Sequence, residues 1–281
     1  MIIWIASYPK SGNTYLRSFI AAYYYSKKGK FEFDLLLNIL QFPSVKFSKK
    51  NINSEIEAAK SWIFNQQQFF SGKEIHFIKT HNTLNKFKGN NFTTNNQTLG
   101  AIYIVRDPRN LITSLTHHYS LNYEQAYANL LDENASLLQK TSNDDYSNFT
   151  HLNSWSNHYK SWKDTKDFKT LFIKFEDLEK NKFNTFLRIV NFIDELKASN
   201  HKVNQKKMVN AINSTSFSNL KNKEQIEGFS ESVYSSSGQK KKFFNLGFNN
   251  RWQKILPKDI LDKINNTLQN ELNDLGYNIN E

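Results

Sequence analysis

The stretch MIIWIASYPKSGNTYLRSFIAAYYY, residues 1–25, decides the fold. Met1 to Ser7 is an apolar, β-branched run that reads as a buried strand. Tyr8-Pro9-Lys10-Ser11-Gly12 reads as a turn, since proline and glycine punctuate regular structure. From Thr14 to Tyr25 apolar residues recur at helical spacing. Strand, glycine loop and helix together aim backbone N–H groups and the positive end of a helix dipole at the loop, and Lys10, Ser11 and Thr14 add donors. Such a nest binds phosphate or sulfate. It is not a Walker A loop: GxxxxGK[ST] is absent and the lysine precedes the glycine.

Working outward, the pattern repeats. Ile75 to Lys79 reads as a second strand running into Thr80 and His81. Leu99 to Val105 reads as a third, ending in Arg106-Asp107-Pro108, with Asn110 to His118 as the first turns of a helix that Asp107 and Pro108 start well. Leu171 to Phe175 reads as a fourth strand, followed by a helix over about 182–194. Pro257 to Leu275 reads as a closing helix, with Ile260, Leu261, Ile264, Leu268, Leu272 and Leu275 on one face. Strands alternating with helices predict an α/β fold, one domain over 1–281 with a central parallel sheet flanked by helices. Between Ser218 and Lys242 the chain is polar and aperiodic, which predicts a mobile loop at about 218–242. Trp155, His158 and Trp162 share one helical face and read as packing.

Composition narrows the classes. Hydrophobic residues at 38% and aromatics at 15% supply a sizeable core and exclude global disorder. There is no cysteine, which excludes disulfides and thiol chemistry and suits a reducing compartment. No stretch reaches the ~18 apolar residues of a membrane span, and the first residues lack a signal pattern, so the expected location is cytoplasmic. The formal net charge of +11 favours anionic partners. Scattered lysines serve a nucleotide phosphate site as well as nucleic acid, and no specific nucleic acid is expected.

In an open α/β sheet ligands bind beyond the carboxyl ends of the strands. Three constellations stand there: Tyr8 to Tyr15, Lys79-Thr80-His81, and Arg106 with Ser114. Together they resemble the sulfotransferases that use 3′-phosphoadenosine 5′-phosphosulfate (PAPS). That family's 5′-phosphosulfate loop reads PKSGTTW where this chain has PKSGNTY, and its second strand also ends in Lys-Thr-His. Its 3′-phosphate motif places a serine eight residues past an arginine, as Ser114 stands to Arg106. Leu171 to Leu178 looks like its strand ending in YEDL, and Thr215-Ser216-Phe217 looks like its TSF segment. Arg251-Trp252 and the final helix, ending at Tyr277, are similar to many bacterial members.

The resemblance implies a P-loop-like fold and sulfuryl transfer from PAPS to a hydroxyl or amine by in-line displacement, leaving 3′-phosphoadenosine 5′-phosphate (PAP). His81 is the implied general base. Lys10 would stabilise charge on the bridging oxygen, and Lys79 would assist at the sulfuryl oxygens. Pro9, Ser11, Gly12, Asn13 and Thr14 would form the donor loop, Arg106 and Ser114 would hold the 3′-phosphate, and Tyr15, Thr215 and Phe217 would line the adenine. No metal is expected, because the transferred group carries one charge.

The chain also departs from the family. Phe175 stands where one branch has a nucleotide-contacting tyrosine, and of the motif RKGxxGxW only Gly247 and Trp252 align. Either Arg251 or Lys240-Lys241-Lys242 supplies the missing cations, or selectivity for the 3′-phosphorylated donor is weakened. The acceptor is open among small molecule, lipid and glycan, with a pocket expected from 31–74, 120–150 and 218–242, and a homodimer is left open. Two other readings stand: a P-loop nucleotide kinase, and an inactive basic protein binding nucleic acid or anionic glycan.

Overall fold

Ile2–Ser7 forms strand β1, every residue of it fully buried. Because successive side chains point to opposite faces, the strand feeds two cores at once. Ile2, Trp4 and Ala6 join one apolar cluster with Trp62, Trp155 and Trp162. Ile3 and Ile5 join the other, with Phe19, Phe186 and Ile189. Burial on both faces is what a parallel sheet covered by helices requires. The chain is one α/β domain.

The computed structural model describes residues 1–138, 145–199, 202–234 and 238–278. The main sheet has four parallel strands: β1 lies between β2 (His76–Thr80) and β3 (Thr98–Val105), and Thr170–Lys174 lies beyond β3. Helix α1 (Asn13–Tyr25) returns from β1, α2 (Glu55–Phe69) precedes β2, and α3 (Pro108–Tyr119) follows β3. Since the chain leaves β1 with one neighbour on each side, a crevice opens at the carboxyl ends of β1, β2 and β3. The four expected strands are found, with bounds within one residue of the reading.

Two expectations are corrected. The closing helix is broken at Leu268 into Lys258–Thr267 and Gln269–Asp274. The stretch 218–242, read as a loop throughout, opens inside a helix, Phe217–Glu227. Only Leu220 and Glu224 of that helix are buried, so it shows no apolar stripe for periodicity to detect. Residues 235–237 of that stretch, and 139–144 of the expected pocket segment 120–150, lie outside the described residues. Among the described residues no helix is long and apolar enough to cross a membrane.

Candidate active site

The turn after β1 is held by a conformation that few residues accept. Gly12 caps α1 at φ 99°, and a Cβ there would run into the Phe175 ring. Glycine is required for both reasons. Lys10 is left-handed as well, at φ 66°, a strain of roughly 1 kcal/mol for a side-chain-bearing residue. Arg106, directly after β3, closes the loop from below. Its Nη1 donates to the Lys10 carbonyl at 3.0 Å and its Nη2 to the Gly247 carbonyl at 3.3 Å. The guanidinium lies over the Phe175 ring at 4.5 Å. Phe175 thus supplies an aromatic face to Arg106 and the constraint on Gly12.

His81 follows β2. Its Nδ1 is 2.7 Å from the Ser7 carbonyl, which can only accept, so Nδ1 carries the proton and Nε2 has a free lone pair. Behind it, His158 Nε2 donates to the His81 carbonyl at 2.9 Å, and the Tyr103 hydroxyl donates to His158 Nδ1 at 2.8 Å. Burial and the nearby Lys79 hold the His81 pKa well below its ordinary value, so the ring is neutral at pH 7 and able to accept a proton. His158, read from sequence as packing, is fully buried and also holds the His81 carbonyl.

Lys10 Nζ is 3.2 Å from His118 Nδ1 and 4.1 Å from the Phe243 ring centre. Burial, with Arg106 adding to it, lowers Lys10 to about 7. Burial lowers Lys79 to about 8, with Glu231 opposing the shift. Burial, with Lys10 adding, lowers His118 to about 3, so His118 accepts from Lys10. Burial is the leading cause of both lysine shifts, and an anion entering the cavity would favour their charged forms.

The groups meet in one cavity of about 790 Å³. Of the residues singled out in the sequence, Pro9, Lys10, Gly12, Asn13, Thr14, Tyr15, Lys79, His81, Arg106, Ser114, Phe217 and Gly247 line it. Ser11, Thr215 and Arg251 do not. Ser11 is fully buried, its hydroxyl without a partner. Thr215 is fully buried and its hydroxyl donates to the Ala211 carbonyl at 2.7 Å. Arg251 is exposed. Lys241 is spent on the His117 carbonyl, 2.6 Å, and the Ser120 hydroxyl, 2.7 Å. Asn245 and Leu246, at the Arg-Lys positions of the family motif, line the cavity as neutral residues.

Sequence reading missed Arg17, His118 and Glu231. Arg17 stands three residues after Thr14 and His118 four after Ser114, each on the same helix face, so helical spacing could have found both. Glu231 carries no such signal. Its carboxylate accepts from Thr14 Oγ1 at 3.0 Å, pairs with the Arg17 guanidinium and lies 3.5 Å from Lys79 Nζ. Ser232 Oγ donates to Glu224 at 2.8 Å, and Glu224 also accepts from the Phe243 and Phe244 amides at 2.7 and 2.9 Å. Glu224 therefore fixes the strap that carries Glu231.

Comparison with known proteins identifies the family and supports the fold. The sulfotransferase domain family matches over residues 2–276, and the chain belongs to that family. No curated protein sequence matches it. Solved structures share its fold at low identity. A mouse sulfotransferase complexed with PAP aligns at 18% identity and TM-score 0.58, over 96% of this chain and 83% of that one. Retinol dehydratase in complex with androsterone and inactive cofactor PAP aligns at 17% and 0.59, over 97% and 81%. The same enzyme with retinol and PAP aligns at 18% and 0.56, over 97% and 81%.

Proposed function

We propose that this sulfotransferase moves a sulfuryl group from PAPS to the hydroxyl of a small, largely apolar acceptor. The observation that carries the reading is the meeting of Lys10, Lys79, His81 and Arg106, from the ends of three parallel strands, in one cavity. Among the described wall residues Glu231 is the lone carboxylate against Lys10, Lys46, Lys79 and Arg106, so an anion is the favoured occupant. The structures it resembles were solved with PAP.

In this mechanism the acceptor hydroxyl attacks sulfur while His81 Nε2 takes its proton. The bond from sulfur to the bridging phosphate oxygen breaks, and PAP leaves with the electron pair. Lys10 and the α1 N-terminus stabilise charge on that oxygen. Arg106 and Ser114 hold the 3′-phosphate, while Tyr15, Phe217 and Phe248 offer aromatic surface to the base. Pro9, Gly12, Asn13 and Thr14 shape the donor loop.

The acceptor end has Leu40, Val45, Leu137, Leu138 and Val233 on its wall, from 31–74, 120–150 and 218–242, with Tyr119 from the end of α3. Apolar walls with a few polar groups suit a compact alcohol or phenol. Retinol and androsterone, held by the neighbours, are of that kind. The cytoplasm, as a reducing compartment, suits a chain without cysteine.

Titrating the protein with PAP while following its melting temperature tests the donor, with ATP and adenosine 5′-phosphosulfate as controls. A rise specific to the 3′,5′-bisphosphate is expected through binding linkage. A response to ATP with magnesium alone, or to none of the three, overturns the reading.

A further inference from the structure

Glu231 is placed where an anion is wanted, and it is the protein's own. Thr14 is the second residue of α1, at the positive end of the helix dipole. Arg17 lies on the same face, its side chain 4% exposed, and its Nη2 reaches both Thr14 Oγ1, at 3.3 Å, and the Glu231 carboxylate. Its Nε is buried without a partner. Lys79 closes the triangle from the end of β2, its side chain 8% exposed. Lys79 and His81 are two residues apart, so the cation that holds an anion here lies beside the base that deprotonates an acceptor.

Three donors from two elements converge on one point, and buried cations such as Arg17 and Lys79 require a partner there. Here the ligand is a carboxylate, planar and singly charged, delivered by a strap that starts at Gly228, where φ is 75°. The strap is tied down independently of the triangle. Ser232 donates to Glu224, and the Lys241 amide donates to the Val233 carbonyl at 2.8 Å. The carboxylate can thus leave its three partners without undoing the strap's other bonds.

We propose that Thr14, Arg17 and Lys79 form the seat of the transferable sulfuryl group, and that Glu231 is a resident stand-in which the donor must displace. The proposal rests on the donor assignment above. It makes Arg17 a sulfuryl-binding residue and Glu231 a brake on donor entry. A sulfuryl group offers three oxygens where the carboxylate offers two, so it can engage the Arg17 Nε that the carboxylate leaves unpartnered. With Glu231 seated, only a fraction of molecules can receive the donor, which weakens apparent affinity by that fraction. PAP carries no sulfuryl group and so leaves Glu231 in place.

The test is calorimetric titration of wild type and Glu231→Gln with PAPS, and separately with PAP, without acceptor. The expected result is PAPS binding about tenfold tighter in the variant, with PAP changed by less than about twofold. Glu231→Ala carries the same expectation and serves if the glutamine variant fails to fold. Unchanged or weaker PAPS binding overturns the proposal, as does an equal gain for both nucleotides, and either result leaves the donor assignment standing. Silence of every protein towards both nucleotides overturns the donor assignment and this proposal with it.

Discussion

The cradle at the strand ends and the strap that covers it are built on opposite terms. In the cradle, Lys10, His81 and Arg106 are each within three residues of the end of a parallel strand, so the sheet sets their positions. His81 and Arg106 bond to backbone carbonyls of Ser7, Lys10 and Gly247, and Lys10 reaches the His118 ring. In the strap, position comes from side-chain carboxylates: Glu224 gathers two amides and a hydroxyl, and Glu231 reaches across to Thr14, Arg17 and Lys79. A strand end is fixed by the fold of the whole domain, whereas the Glu231 carboxylate shares its donors with any anion that competes for them, while the strap's other bonds stay in place.

The largest effect should break the cradle. His81→Ala is expected to lower kcat by ~10²–10⁴-fold while leaving PAP affinity near wild type. A variant keeping more than about a tenth of the rate would remove His81 from the role of base. Steady-state kinetics with a sulfuryl acceptor, beside a PAP titration, reads both quantities.

The pH dependence of PAP affinity sharpens the comparison next. Free Lys10 loses its proton near pH 7 because it is buried, and a bound phosphate would favour the charged form. Affinity should therefore fall as pH rises from 7 to 9, approaching tenfold per unit, and flatten below 7 as far as Lys10 is concerned. Lys10→Arg, charged throughout, should remove most of that slope. A wild-type slope near zero would show that Lys10 does not meet the nucleotide's charge.

Glu224→Ala addresses the strap. Removing the carboxylate strands two amides and one hydroxyl, a loss of roughly 2–3 kcal/mol if the site stays buried, seen as a lower midpoint in urea. An unchanged midpoint would mean that the strap is held by other contacts. The smallest effect is expected at Arg251, which is exposed and off the cavity wall. Arg251→Ala should change PAP affinity by less than about twofold, as exposed substitutions usually do. A tenfold loss would restore Arg251 as the substitute for the missing motif cations.

Much of the cradle was legible because its signals are local. β1 is apolar without interruption, Gly12 marks the turn, and Asp107-Pro108 starts α3, with Asp107 accepting from the Arg109 amide at 2.9 Å. The neighbouring Arg109 shows where such reading stops. Two arginines flank Asp107-Pro108; Arg106 enters the cavity, while Arg109 is buried against Asp107 and over the Trp252 ring at 4.1 Å. Arg106 is singled out by its place at the strand end with Ser114 on the following helix, and the resemblance to a known motif adds to that; the burial of Arg109 was not legible.

The amino-acid sequence by itself determined the parallel α/β sheet, the glycine loop at the start of α1, and the three strand ends whose side chains meet in the cavity. These follow from apolar period, turn residues and helix caps, all set within a few residues of chain. Tertiary structure alone decided that Thr215 and Ser11 are buried away from the cavity, that His158 holds the His81 carbonyl, and that Glu231 sits among Thr14, Arg17 and Lys79. Glu231 and Thr14 are 217 positions apart, and their pairing is an electrostatic match between a surface strap and a buried cation pair. No local pattern encodes such a match, because it depends on which donors the folded sheet leaves uncompensated.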